Sequence, residues 1–137
     1  MANNRKAIRA AVVGLLAGNT SAGQNVYSNR ETKLWSSELP AILIYTLHEP
    51  SVQESLSSRR YYRTLLLAVK VKVASSQTVD DDLDDLTSQV ETIFANNPGL
   101  GGTVLSSLQT LTEVIVDSTG EEDLATATIT FECKYIA

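Results

Sequence analysis

Five carboxylates fall within six residues, at Asp80, Asp81, Asp82, Asp84 and Asp85, the densest set of ion-binding side chains in the chain. A divalent cation is the ligand such a set suggests. The spacing does not suit a calcium loop, because no glycine stands at its centre and no glutamate closes it at the twelfth position. The same residues have a structural use: in a first helical turn, carboxylates interact favourably with the helix dipole. Five crowded together also repel, so part of the set is expected to face a basic surface of a partner. His48, the single histidine, stands beside Glu49, with Ser51 and Ser55 following. Those are the types of a nucleophile–base–acid set, but all lie in one local stretch without a nucleophile elbow, and hydrolysis is not expected. Cys133 is the only cysteine, so no internal disulfide forms. It falls on the apolar face of a strand-like run and reads as a small buried hydrophobe. A reactive thiol would need a basic neighbour. Gly99–Gly102 lacks the Lys and Ser/Thr of a phosphate loop and reads as a turn. No enzymatic activity, cofactor or resident metal is expected.

The positive counterpart is Arg59, Arg60 and Arg63, interleaved with Tyr61 and Tyr62 and followed by Lys70 and Lys72. Arginine and tyrosine are enriched at interface cores, whereas lysine on a strand reads as a solvent face or as protection against wrong pairing. Strand alternation assigns Arg60, Lys70 and Lys72 to one face and Arg59 and Arg63 to the other. A basic arm and an acidic helix start on one small protein suggest head-to-tail contact between copies, which closes into a ring when the rotation permits. Arg59, Arg60, Tyr61, Arg63 and the Asp80–Asp85 set are therefore the candidate interface residues.

These residues are positioned by recognisable elements. From Leu65 to Val73 every odd residue is apolar, the period-two signature of a strand with one buried face. Tyr61–Val73 would span about 43 Å at roughly 3.3 Å per residue, long for so small a domain, and its Arg59–Arg63 end is expected to project as the arm of a long β-hairpin. Pro40 opens Ala41–Leu47, apolar on both faces, which predicts a central strand antiparallel to the long one. Leu124–Ile136 alternates cleanly, with Ala125, Ala127, Ile129, Phe131, Cys133 and Tyr135 inward. Leu111–Asp117 reads as a further strand, Thr103–Leu111 is ambiguous between a short helix and irregular structure, and Val26–Tyr27 suits a short strand. Glu49–Ser58 and Gly120–Asp123 read as turns, and Trp35 as a lid in the Asn29–Ser37 loop.

Two helices complete the pattern. Ile8, Ala11, Val12, Leu15 and Leu16 fall at helical spacing, which argues that the segment Asn4–Ala17 is an amphipathic helix rather than a secretory leader, despite Arg5, Lys6 and Arg9 ahead of an apolar run. Asn3 or Asn4 would cap it, Gly18–Asn19 would stop it, and Gly14 would weaken it or admit a close neighbour. Leu83, Leu86, Val90, Ile93 and Phe94 give Val79–Asn96 one apolar face, with Thr78 and Asp81 as a capping pair and Asn97-Pro98-Gly99 as its end. The expectation is one domain over 1–137, an α+β two-layer sandwich: a mainly antiparallel sheet of four to five strands against two helices.

Composition narrows the function. The chain has 137 residues and a net charge of −5, with 43% hydrophobic, 20% charged and 6% aromatic residues. That is ordinary for one globular domain, and the acidic balance disfavours a phosphate-tracking nucleic-acid surface. No run approaches the roughly 20 apolar residues of a membrane-spanning helix.

The helix around Ile8-Arg9-Ala10-Ala11-Val12, an aromatic-containing loop, the strand start Leu39-Pro40-Ala41-Ile42-Leu43-Ile44-Tyr45, the Asp80–Asp85 helix start and the Thr-rich last strand Thr126–Tyr135 together resemble the tail terminator proteins of long-tailed bacteriophages, the minor tail protein U type. The resemblance covers about Arg5 to Tyr135. It implies a structural virion protein of the phage tail, assembled in the host cytoplasm, that caps the tail tube as a hexameric ring, ends tube polymerisation and offers a surface for head joining. The implied partners are further copies of itself, the tail tube protein and a head–tail joining protein. Other readings are a phage neck or head-completion protein, a small ligand-binding α+β domain, and an enzyme using a divalent ion at Asp80–Asp85.

Overall fold

The computed structural model describes residues 5–28, 39–57, 59–74, 78–117 and 124–137. Its elements are α1 (Arg5–Leu16), β1 (Val26–Ser28), β2 (Ala41–Thr46), β3 (Ser51–Gln53), β4 (Tyr61–Ala74), α2 (Val79–Asn96), a 3₁₀ turn at Leu100–Gly102, β5 (Ser106–Asp117) and β6 (Leu124–Ile136). The expectations for Asn3 and Asn4, Trp35 and the Gly120–Asp123 turn lie outside the described residues.

The strands form one six-stranded sheet in the order β1-β2-β4-β6-β5, with β3 pairing β4 beyond the end of β2. All pairings are antiparallel except β1 with β2. Both helices pack on the sheet face that carries the odd residues of β4 and β6. There Ile8, Val12 and Leu16 of α1 and Leu83, Leu86, Val90 and Phe94 of α2 join Leu65, Leu67, Val69, Ile129 and Phe131 in one core. The expected α+β two-layer sandwich is the observed fold, with six strands in place of four to five. The alternation predicted this face because a side chain out of register would expose apolar surface worth about 25 cal/mol per Å². β2 is apolar on both faces because both are covered: Ile42 and Ile44 enter the main core, while Ala41 and Leu43 form a second cluster with Tyr27, Leu39 and Tyr45.

Several local expectations are corrected. Ser106–Asp117 is strand throughout, with a register shift between Gln109 and Leu111 that leaves Thr110 as an extra residue. The expected strand Leu111–Asp117 is its second half, and the bulge breaks the two-residue period and hides the first half from alternation. The Glu49–Ser58 turn contains β3. Thr78 makes no side-chain cap to the backbone of α2. Its hydroxyl donates to Asp82 Oδ2 at 3.2 Å instead. Gly14 is not a close-approach site, since a Cβ there would meet nothing within 4 Å. Gly18 does stop α1, with φ +76°.

The basic end of β4 does not project alone. β3 flanks it on one side through Ser51–Arg63, Val52–Tyr62 and Gln53–Tyr61, and β6 flanks it on the other up to Tyr62–Ile136. Tyr61 and Ala137 then exchange both backbone hydrogen bonds, at 2.9 and 3.1 Å. β6 runs the full length of β4, so the strand that outruns an ordinary core has a partner of its own length. What extends past the ladder is the turn between β3 and β4.

Candidate functional site

The interface residues expected from sequence separate into two poles. Along β4, from Tyr61 to Val73, the poles lie about 40 Å apart at roughly 3.3 Å per residue. At the basic pole Arg59 and Arg60 precede the strand, so strand parity governs only Arg63. Arg60 Nε contacts Glu54 Oε2 at 3.2 Å, and the Glu54 amide donates to the Arg60 carbonyl at 2.9 Å, closing the turn. Arg59 is exposed and makes no ion pair among the described residues. Around these arginines lie Val52, Leu56, Tyr61 and Tyr62, all with apolar surface in solvent, and Leu56 is fully exposed.

Arg63 points inward. Its Nη1 lies 3.6 Å from Glu49 Oε2, its Nε donates to the carbonyl of Ala137 at 3.1 Å, and its guanidinium sits 5.3 Å from the Tyr61 ring centroid. Arg5 Nη1 donates to the same Glu49 oxygen at 3.1 Å, and the Tyr135 hydroxyl donates to Glu49 Oε1. The Glu49 side chain is 4% exposed, so α1, the β2–β3 junction, β4 and the chain's last residues converge on one buried carboxylate. Sequence reasoning missed this role. Its partners lie 44, 14 and 86 positions away, and the one local clue was a lone Glu among polar residues after an apolar strand. The imagined catalytic set is not assembled: Glu49 engages arginines and a phenol, and the Ser51 hydroxyl points to the Glu49 carbonyl at 3.5 Å.

At the acidic pole Asp80, Asp81, Asp82, Asp84 and Asp85 are all exposed on the first two turns of α2. They make no ion pair among the described residues, and no group of three or more His, Cys, Asp or Glu there could hold a metal ion. The carboxylates occupy the solvent side of α2 because Leu83, Leu86 and Val90 take its inner side. Below them opens a cleft of about 430 Å³ between α2 and the adjoining ends of β2 and β4. Leu39, Pro40 and Ala74 line it beside the buried Val73 and Leu86, with exposed Asp82 and Asp85 also in its lining.

Two further features complete the surface. Edge strand β5 exposes Leu108, Leu111 and Val114, with Leu105 just before it, an apolar strip whose first part lies in the segment that sequence left ambiguous. Cys133 is fully buried, and burial pushes its thiol up to about 12, the behaviour of an inert core residue. No helix among the described residues is long and apolar enough to cross a membrane. Among the described residues, exposed basic and apolar side chains thus stand at one end of β4 and exposed carboxylates at the other.

A search of curated proteins finds no match. A family model described as phage minor tail protein U matches residues 3–135 of the 137. The chain therefore belongs to the phage minor tail protein U family and is a structural component of a phage tail.

Proposed function

We propose that this protein caps the end of the tail tube as a ring of identical copies, six on the family resemblance, stops tube polymerisation and presents its other face to a head-joining protein. The observation that carries the reading is the polarity of the surface. Exposed arginines and apolar side chains lie at one end of the sheet, and five exposed carboxylates lie at the other. A body with two different, mutually attractive ends associates head to tail, and such contacts close when the rotation allows. Arg59, Arg60, Tyr61 and the Asp80–Asp85 set are the proposed subunit-contact residues. Arg63 supports the contact from behind by holding the turn to Glu49. The tube end and the head-joining protein would occupy the two faces of the ring. A structural role needs no catalytic group, and surface complementarity suffices for it.

The test is a capping assay. Purified protein is added to polymerising tail tube protein, tube lengths are measured by electron microscopy, and mass is followed by light scattering across a concentration range. Shortened tubes bearing a terminal ring, and a sixfold species alone or on tubes, are the expected results. Unchanged tube growth with a strict monomer at every concentration would overturn the proposal. Binding to the head connector without any effect on tubes would favour a neck protein.

A further inference from the structure

The basic turn and the apolar cleft form a plug and socket on opposite ends of the same molecule. Leu56 stands at the tip of the β3–β4 turn with its side chain wholly in solvent, and Arg59 follows three residues later. At the far end of β4 the cleft beneath α2 offers accessible apolar surface at Leu39, Pro40 and Ala74, beside buried Val73 and Leu86, and carboxylates at Asp82 and Asp85. A volume of about 430 Å³ is ample for one aliphatic side chain with its flanking backbone. Tip and cleft lie about 40 Å apart, so no copy can fill its own cleft. The charges are complementary in sign and similarly placed, with a cation beside an exposed apolar side chain in one and anions at the mouth of an apolar wall in the other. Complementary charge of this kind fixes partner and register.

We propose that the β3–β4 turn of one copy docks into the cleft beneath α2 of a second copy, with Leu56 against Leu39, Pro40 and Ala74 and with Arg59 against Asp82 and Asp85. This rests on the capping-ring reading in that it names the contact between neighbours, but it stands or falls on separate measurements. The contact is heterologous: every copy offers one tip and one cleft. It gives the acidic start of α2 a use that neither helix capping nor a metal supplies. It also gives a use to Leu56, whose exposure no internal packing explains.

Asymmetric cross-linking tests it. Leu56→Cys and Ala74→Cys copies carrying different tags are mixed and oxidised. Both positions are exposed, and buried Cys133 stays out of the reaction. The expected product is a disulfide-linked heterodimer, well above that from Leu56→Cys mixed with Thr92→Cys, which lies on the exposed side of α2 away from the cleft. Adding Asp82→Lys and Asp85→Lys to the Ala74→Cys copy should abolish the link, and adding Arg59→Glu to the Leu56→Cys copy should then restore it. Leu56→Ser should weaken association of the otherwise native protein by about tenfold to a hundredfold, the loss of one buried aliphatic side chain. Heterodimer no more abundant than the Thr92→Cys control, or cross-linking indifferent to both charge reversals, overturns the contact. If such a protein still caps tubes, only this contact fails. A link formed without capping would retain the contact and reject the capping role.

Discussion

Replacing Glu49 by alanine removes the acceptor on which two guanidinium groups and a phenol converge. The loss can be sized from the surroundings. Removing one member of a buried ion pair costs about 3–5 kcal/mol, because the partner is left desolvated. The Arg5 side chain is 43% exposed and rehydrates, so it adds little. The Arg63 side chain is only 21% exposed and stays beside the vacated space, together with the Tyr135 hydroxyl. The lower end, about 3 kcal/mol, follows, and for a domain of this length it lowers Tm by about 10 °C. Glu49→Gln keeps the shape and the acceptor for Tyr135 while removing the charge, and should cost about 1–2 kcal/mol. Urea unfolding followed by circular dichroism measures both. Arg63→Met in the Glu49→Ala background should recover part of the loss, because no buried cation is then orphaned. A Glu49→Ala protein within 1 kcal/mol of the parent, or strict additivity with Arg63→Met, would refute the convergence of these groups as a source of stability.

Four further outcomes are expected. Gly14→Ala should raise stability by about 0.5–1 kcal/mol, since a methyl there meets nothing and alanine is the better helix former. Gly18→Ala should lower it, because φ is +76° and the new Cβ would lie 2.8 Å from the Gln24 side-chain nitrogen; paired thermal melts decide both. Phe94→Ala, which removes a ring stacked on Phe131 at 3.8 Å between centroids, should cost about 3–5 kcal/mol in chemical denaturation. Cys133 should resist alkylation at pH 8 until the protein unfolds. Its folded thiol is raised from 9.0 to about 12, so between these values the unfolded chain loses the proton that the folded chain keeps. Stability contributed by this group is therefore full below pH 9 and declines above it, at about 1.4 kcal/mol per pH unit, as pH-dependent unfolding would register.

Much of the fold is legible because burial is local in its demands. The alternation of Leu65, Leu67, Val69, Val71 and Val73, the spacing of Leu83, Leu86, Val90 and Phe94, and the two-sided apolarity of Ala41–Ile44 each report a face that must leave water, whatever covers it. β5 was half legible: one extra residue at Thr110 shifts the phase of its pattern, and Leu108, Leu111 and Val114 face solvent instead of the core. β3 was invisible, since three exposed residues carry no burial signal and pair only because β4 runs past β2. The arginines show the same limit. Their charge marked the basic pole, but nothing adjacent in the chain distinguishes Arg63, turned in toward Glu49, from Arg59, turned out.

Taken alone, the order of residues determined the two helices and the longer buried strands, which face of each is buried, and that the chain carries opposite charges in two groups. These follow from period, composition and the cost of wetting apolar area. The tertiary structure alone decided that those groups stand at opposite ends of β4, that Glu49 gathers Arg5, Arg63 and Tyr135, and that an apolar cleft opens beside Asp82 and Asp85. Each of these is a relation between residues far apart in the chain. Such relations exist only once strand order and register have been chosen, and those choices depend on the whole sheet closing over one core.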